Sequence, residues 1–236
     1  MMLWTRAPFP RGAVQSPMAR TTSYGTCELC GKRTSKAAMT RHLASCLPAH
    51  GGGRGKPERL LHLQVQGAWA PMYWLHVEVG ARRSLAELDG FLRDIWLECC
   101  GHMSAFEIGR ARYSVAPDDA WLHERSMAAR LGDVVGPGTT FRHEYDFGST
   151  TELKLAVKGE REGRSTGGPV RLLARNEAPA WTCAVCGAPA TLIDPLANYD
   201  EDAFYCAEHA TEVSEEDLVL PVVNSPRMGV CAYGDV

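Results

Sequence analysis

FRHEYDFGSTTELKLAVK, residues Phe141 to Lys158, is the stretch on which the fold turns. Phe141, His143, Tyr145 and Phe147 recur at every second position, as do Leu153, Leu155 and Val157, and Asp146 and Gly148 stand between the two runs. Alternation at period two marks strands with one buried face, and Asp and Gly are turn formers. The stretch therefore predicts a β-hairpin whose apolar sides face one core. On such a strand residues 143 and 145 point one way and 144 and 146 the other, so His143 and Asp146 do not converge as an acid–base pair. Asp146 is expected to hold the turn by accepting backbone hydrogen bonds, and His143 to take an aromatic's place in the core.

Upstream, Arg59–Gln66 and Met72–Val79 alternate in the same way and predict a strand pair. Ser84 opens a helix, SLAELDGFLRDIWLECC, with Glu87 at the capping-box position and Leu85, Leu88, Leu92, Ile95 and Trp96 on one face. Ser104–Ile108 and Ala111–Val115 can form another short pair, and Glu124–Val135 a short helix or turn. Strands, helix, strands and hairpin in this order predict an α+β domain over residues 58–180: a small sheet with one packed helix, β-grasp-like in outline.

PMYWLHVEV with Ser84–Leu88, His102 with Phe106–Ile108, and ARLGDVVGPGTTFRHEYDFG resemble the plasmid pRiA4b ORF-three-like family of insertion-sequence passenger-type proteins. The resemblance covers roughly residues 58–180 and implies a small α+β domain with a mobile-element association and no established activity. Family members typically follow YDFG with Asp, Trp and His, whereas this chain has Ser149, Thr151 and Leu153; Ser104 replaces a second histidine. A site built from those polar positions would be largely dismantled here.

Flanking this domain are two ligand sets. Cys27 and Cys30 form a Cys-x2-Cys knuckle, and His42 and Cys46 follow on a segment, Ser35–Leu47, rich in helix formers. Residues four apart share a helix face, so Cys-x2-Cys-x11-His-x3-Cys reads as a zinc finger over residues 24–47, one residue shorter than a DNA-reading finger and ending in Cys. PAHGGGRGKP makes residues 48–57 a flexible linker, and the finger is expected to move independently. Towards the other end, Cys183 and Cys186 form a second knuckle with Gly187 placed to turn the chain. Cys206 and His209 follow after nineteen residues, a zinc-ribbon or treble-clef pattern within residues 181–236. Two structural zinc ions are therefore expected. Each would have four protein ligands and no open position, which disfavours metal-assisted catalysis.

Nine cysteines are many, but six sit in these paired spacings, so thiolate ligation suits them better than a disulfide framework. Cys99, Cys100 and Cys231 are left over and read as small buried hydrophobes or inert thiols. No apolar run of about 18 residues is present to span a membrane, and a cytoplasmic protein is expected. Residues 1–23 read as a disordered leader, with Met18 a plausible start.

Charge is uneven. Residues 1–58 carry nine Lys or Arg against Glu28 and Glu58, leaving the rest of the chain strongly acidic, with eight acidic and no basic residues between Asn198 and Leu220. The basic arm suggests a finger that approaches DNA or RNA, with Lys32, Arg33, Lys36 and Arg41 as phosphate contacts. A protein-interaction adaptor is the alternative. A hydrolase or nuclease using His143 and Asp146 is a further one, weakened by their opposite strand faces.

Overall fold

The hairpin is present. In a computed structural model, which describes residues 22–50, 52–53, 56–117, 123–164, 168–195, 203–213 and 219–234, Thr140–Tyr145 pairs antiparallel with Thr151–Arg164, setting Phe141 opposite Leu155 and His143 opposite Leu153. Phe141, His143, Tyr145, Leu153, Leu155 and Val157 are buried. Phe147 breaks the alternation. Asp146 adopts the left-handed conformation at φ 65°, which turns the next side chain outward, so Phe147 is 47% exposed under the Arg112 guanidinium, 4.8 Å from its ring centre. Asp146 holds the turn as its position suggests: Oδ1 accepts from the backbone N–H groups of Gly148 (3.1 Å) and Ser149 (3.2 Å).

In chain order the strands are β1 (Tyr24–Cys27), β2 (Arg33–Ser35), β3 (Pro57–Gly67), β4 (Trp74–Gly80), β5 (Ser104–Ile108), β6 (Ala111–Ser114), β7 (Arg125–Ser126), β8 and β9 (the hairpin), β10 (Val170–Asn176), β11 (Leu192–Ile193), β12 (Phe204–Tyr205) and β13 (Leu220–Pro221). The α-helices are α1 (Lys36–His50), α2 (Leu85–Leu92), α3 (Leu131–Val134) and α4 (Ala207–Val213). Ten strands join one sheet in the order β2-β1-β10-β4-β3-β9-β8-β5-β6-β7, all antiparallel except β6–β7.

The sheet is large rather than the small one its sequence suggests. The finger's strands are part of the same sheet: β1 pairs with β10, Gly25 opposite Asn176 and Cys27 opposite Ala174. A side chain at Gly25 would run into the Arg175 carbonyl oxygen and the Trp74 ring, so close approach of the two strands demands glycine. The finger is thus docked rather than independent. The expected linker is also shortened, because α1 runs through Pro48 to His50 and β3 starts at Pro57; positions 51, 54 and 55 lie outside the described residues, as do residues 1–21 of the expected leader and six of the eight acidic residues between Asn198 and Leu220.

Strand β4 is buried along its whole length because both of its faces are covered. Leu75, Val77 and Val79 enter the main core with Leu61, Leu63, Val65, Phe106, Leu153 and Leu155, while Trp74, on the opposite face, joins Met39, Leu43 and Leu47 of α1 and Leu173 of β10. The α2 cap is the predicted capping box: Ser84 Oγ accepts from the Glu87 N–H at 3.2 Å and Glu87 Oε2 accepts from the Ser84 N–H at 2.8 Å. Leu85, Leu88 and Leu92 are fully buried, each contributing on the order of 2 kcal/mol. The helix widens into a π-helical turn, Arg93–Leu97, which places Trp96 in the core and carries the chain to Cys99.

Near the C-terminus, β12-β11-β13 make a second, three-stranded sheet. Trp181 stacks on Phe204 with ring centres 4.1 Å apart and planes nearly parallel, and Met228 packs with Ile193 and Phe204. No helix among the described residues is long and apolar enough to cross a membrane.

Candidate metal centres

The finger quartet assembles from a turn and a helix. β1 delivers Cys27, the turn with Gly31 at φ 71° delivers Cys30, and α1 presents His42 and Cys46 one helical turn apart. Cys27 Sγ lies 3.9 Å from Cys46 Sγ, and Cys30 Sγ 3.4 Å from His42 Nε2. Metal bonds of about 2.3 Å to sulfur and about 2.0 Å to nitrogen in a tetrahedron would place ligand atoms roughly 3.5–3.8 Å apart, so the spacing suits one ion at the centre. Electrostatics agree. The Lys32 backbone N–H lowers the Cys30 pKa, whereas burial, with the neighbouring thiols Cys30 and Cys27, pushes Cys46 up to about 12. Converging thiolates repel one another, and a bound cation removes that conflict.

The second quartet has the same construction. Gly187 at φ 71° turns the knuckle between Cys183 and Cys186, β12 leads into Cys206, and α4 carries His209. Cys186 Sγ is 3.9 Å from Cys206 Sγ, while His209 Nδ1 is 3.6 Å from Cys183 Sγ and 3.2 Å from Cys206 Sγ. Burial alone would raise the Cys183 pKa, but backbone N–H groups of Cys206, Cys186 and Val185 aimed at its sulfur lower it to about 6. The thiolate is therefore the ready form at neutral pH.

All eight ligands read from the sequence are brought together in these two sets, and the structure adds a third. Cys99, Cys100, His102 and Cys231 converge so that their ligand atoms all lie within 4.8 Å of one another. Among the described residues three clusters can hold a metal ion, and the expectation of two ions is not supported. Cys99 is half-buried and Cys100 and Cys231 are exposed, so of the two expected readings, small buried hydrophobes or inert thiols, the first does not hold. The only signal in the sequence was the CCGH run, which lacks a second knuckle because its fourth ligand stands 129 residues away.

His143 and Asp146 are not brought together. His143 is fully buried and its Nε2 lies 2.6 Å from Asp89 Oδ1 on α2, while Asp146 Oδ2 accepts at 2.8 Å from the fully buried Arg227. Of the four cations expected to meet phosphate, two are engaged with the body. Arg33 grips Glu177 through two bonds of 2.5 and 2.8 Å and lies over the Tyr24 ring; Lys36 donates to the Pro71 carbonyl at 2.6 Å, and burial lowers its pKa to about 8. Lys32 and Arg41 are exposed.

No protein-family model matches the chain, and no curated protein matches it. Among solved structures, a protein of unknown function from Methanosarcina mazei Go1 aligns at 19% identity with a TM-score of 0.41, covering 47% of this chain and 64% of that one.

Proposed function

We propose that the chain is a non-catalytic, zinc-braced binding protein of the pRiA4b ORF-three-like type, working in the cytoplasm, whose finger touches nucleic acid. The observation that carries the metal reading is that each quartet supplies four protein ligands at tetrahedral spacing. Such a set leaves no coordination position for a reacting water, which is the mark of structural zinc. Zinc in turn would reinforce a hairpin and one helix whose own apolar contribution to the cluster, beside the ligands, is little more than Met39, Leu43 and Leu47, packed on Trp74 and Leu173 of the body.

The nucleic-acid contact rests on Lys32 and Arg41, which are exposed and lie close to the ligand residues Cys30 and His42 in the chain. Two phosphate contacts release about two counterions, so binding should be weak and fall with salt at a log–log slope of about −2 on duplex DNA. The test is the mobility of labelled DNA and RNA with the full chain across a salt series. Lys32→Gln with Arg41→Gln is expected to abolish the shift, and Arg33→Gln to change it little. The absence of any salt-sensitive shift at low ionic strength overturns this contact and leaves the adaptor reading. That second reading is favoured by a groove of about 720 Å³ between the Gly67–Tyr73 loop and Trp181, flanked by Trp69, which is 84% exposed.

A further inference from the structure

The C-terminal segment after β13 folds back onto the end of the π-helical turn, and three of its side chains are fixed against neighbouring elements. Ser225 Oγ donates to the Trp96 carbonyl at 2.7 Å. Arg227, fully buried, donates to Asp146 Oδ2 at 2.8 Å, to Thr151 Oγ1 at 3.0 Å and to the Ser149 carbonyl at 3.2 Å. Met228 lies under the second sheet and its sulfur is 4.0 Å from the Tyr73 hydroxyl. Cys231 follows at φ 56°, a left-handed turn that brings its sulfur to the body.

Four ligand atoms meet at that place. Cys100 Sγ is 3.6 Å from both Cys99 Sγ and Cys231 Sγ, and His102 Nε2 is 2.9 Å from Cys100 Sγ and 3.8 Å from Cys231 Sγ. A disulfide would need two sulfurs about 2.05 Å apart and gives no reason for a third thiol and an imidazole to close on the same point. A tetrahedral ion uses all four, and the 3.6 Å sulfur–sulfur distances here are close to the 3.9 Å of the finger and knuckle sets. Three thiolates on a divalent ion leave one negative charge, and Arg227 Nη2, 3.4 Å from Cys99 Sγ, is placed to offset it from the buried side.

We propose that Cys99, Cys100, His102 and Cys231 form a third zinc site, which clasps the C-terminal segment to the body. Zinc fits this donor set because three sulfurs and one imidazole in a closed tetrahedron match its preference among divalent ions. The site joins the π-helical turn to the segment that also supplies β13 to the second sheet, so its metal ties the C-terminal knuckle to the main core. It is independent of any contact with nucleic acid.

The test is zinc content per chain by elemental analysis, with native mass spectrometry, on the full-length protein and on Cys231→Ser and Cys100→Ser. The expected result is three zinc ions in the parent and two in each variant. In the variants, amide exchange at residues 225–230 should rise while the finger and knuckle strands stay protected. An unchanged zinc count in both variants, or a parent mass two hydrogens light with a Cys100–Cys231 disulfide in place of metal, overturns the site. Should neither variant fold, the parent's own count decides: three ions sustain the site, and two overturn it.

Discussion

His62 and His76 share a face of the β3–β4 ladder and are joined by a hydrogen bond of 2.8 Å between Nε2 and Nδ1. Burial, reinforced by neighbouring cations, pushes their pKa values down to about 4 and about 3. Unfolded histidines titrate near 6.5, so the unfolded chain takes up protons first as the pH falls. The stability these residues allow is complete above about pH 6.5 and is lost on acidification towards their folded values, at up to about 1.4 kcal/mol per pH unit for each. Urea unfolding at pH 7 and pH 5 should show His62→Leu losing about 1–2 kcal/mol less than the parent; equal losses would contradict the assignment. At this scale the sequence was partly legible. Period-two alternation placed His143 in the core, but its partner Asp89 lies on a helix 54 residues earlier, and no local pattern links the two. The Asp146 turn was readable because an Asx turn is built within four residues, whereas Arg227, its ion partner, is 81 residues away.

Elements with strong periodicity formed where the sequence put them: β3, β4, the capped α2 and the β8–β9 hairpin. What propensity could not read was which edge each strand would join. The finger's β1 contains Gly25, and that glycine is what lets β1 lie against β10 over the Trp74 ring. Gly25→Ala should therefore lift β1 from β10 without dismantling the quartet. Hydrogen exchange would show faster exchange at residues 25–27 and 174–176 with the zinc count unchanged; protection equal to the parent's would show that the docking tolerates a side chain. The same element explains why two of the four cations singled out in the sequence are engaged with the body, since docking turns Arg33 towards Glu177 and Lys36 towards Pro71.

For the whole molecule, the candidate metal sites and the apolar core occupy different parts. Every member of the main core, from Leu61 to Val157, lies outside the three quartets except Cys99, which packs at its margin. Structural zinc contributes on the order of 10 kcal/mol to a small site, more than the few buried side chains of the finger or knuckle can supply. Chelation should accordingly release protection at Tyr24–Cys27 and Phe204–Tyr205 while β3, β4 and β9 stay slow to exchange. Intact protection at both peripheral strands after complete zinc removal would show that packing alone holds them. The sequence by itself determined the two quartets with paired spacings, the capped helix and the hairpin, because ligands within a turn or a helical step and apolar residues at a fixed period are local patterns. Only the tertiary structure decided that the finger extends the central sheet and that CCGH meets Cys231. Strand pairing and the closing of a site by a distant residue depend on how the chain returns on itself, and that path is set by packing shared across the whole fold.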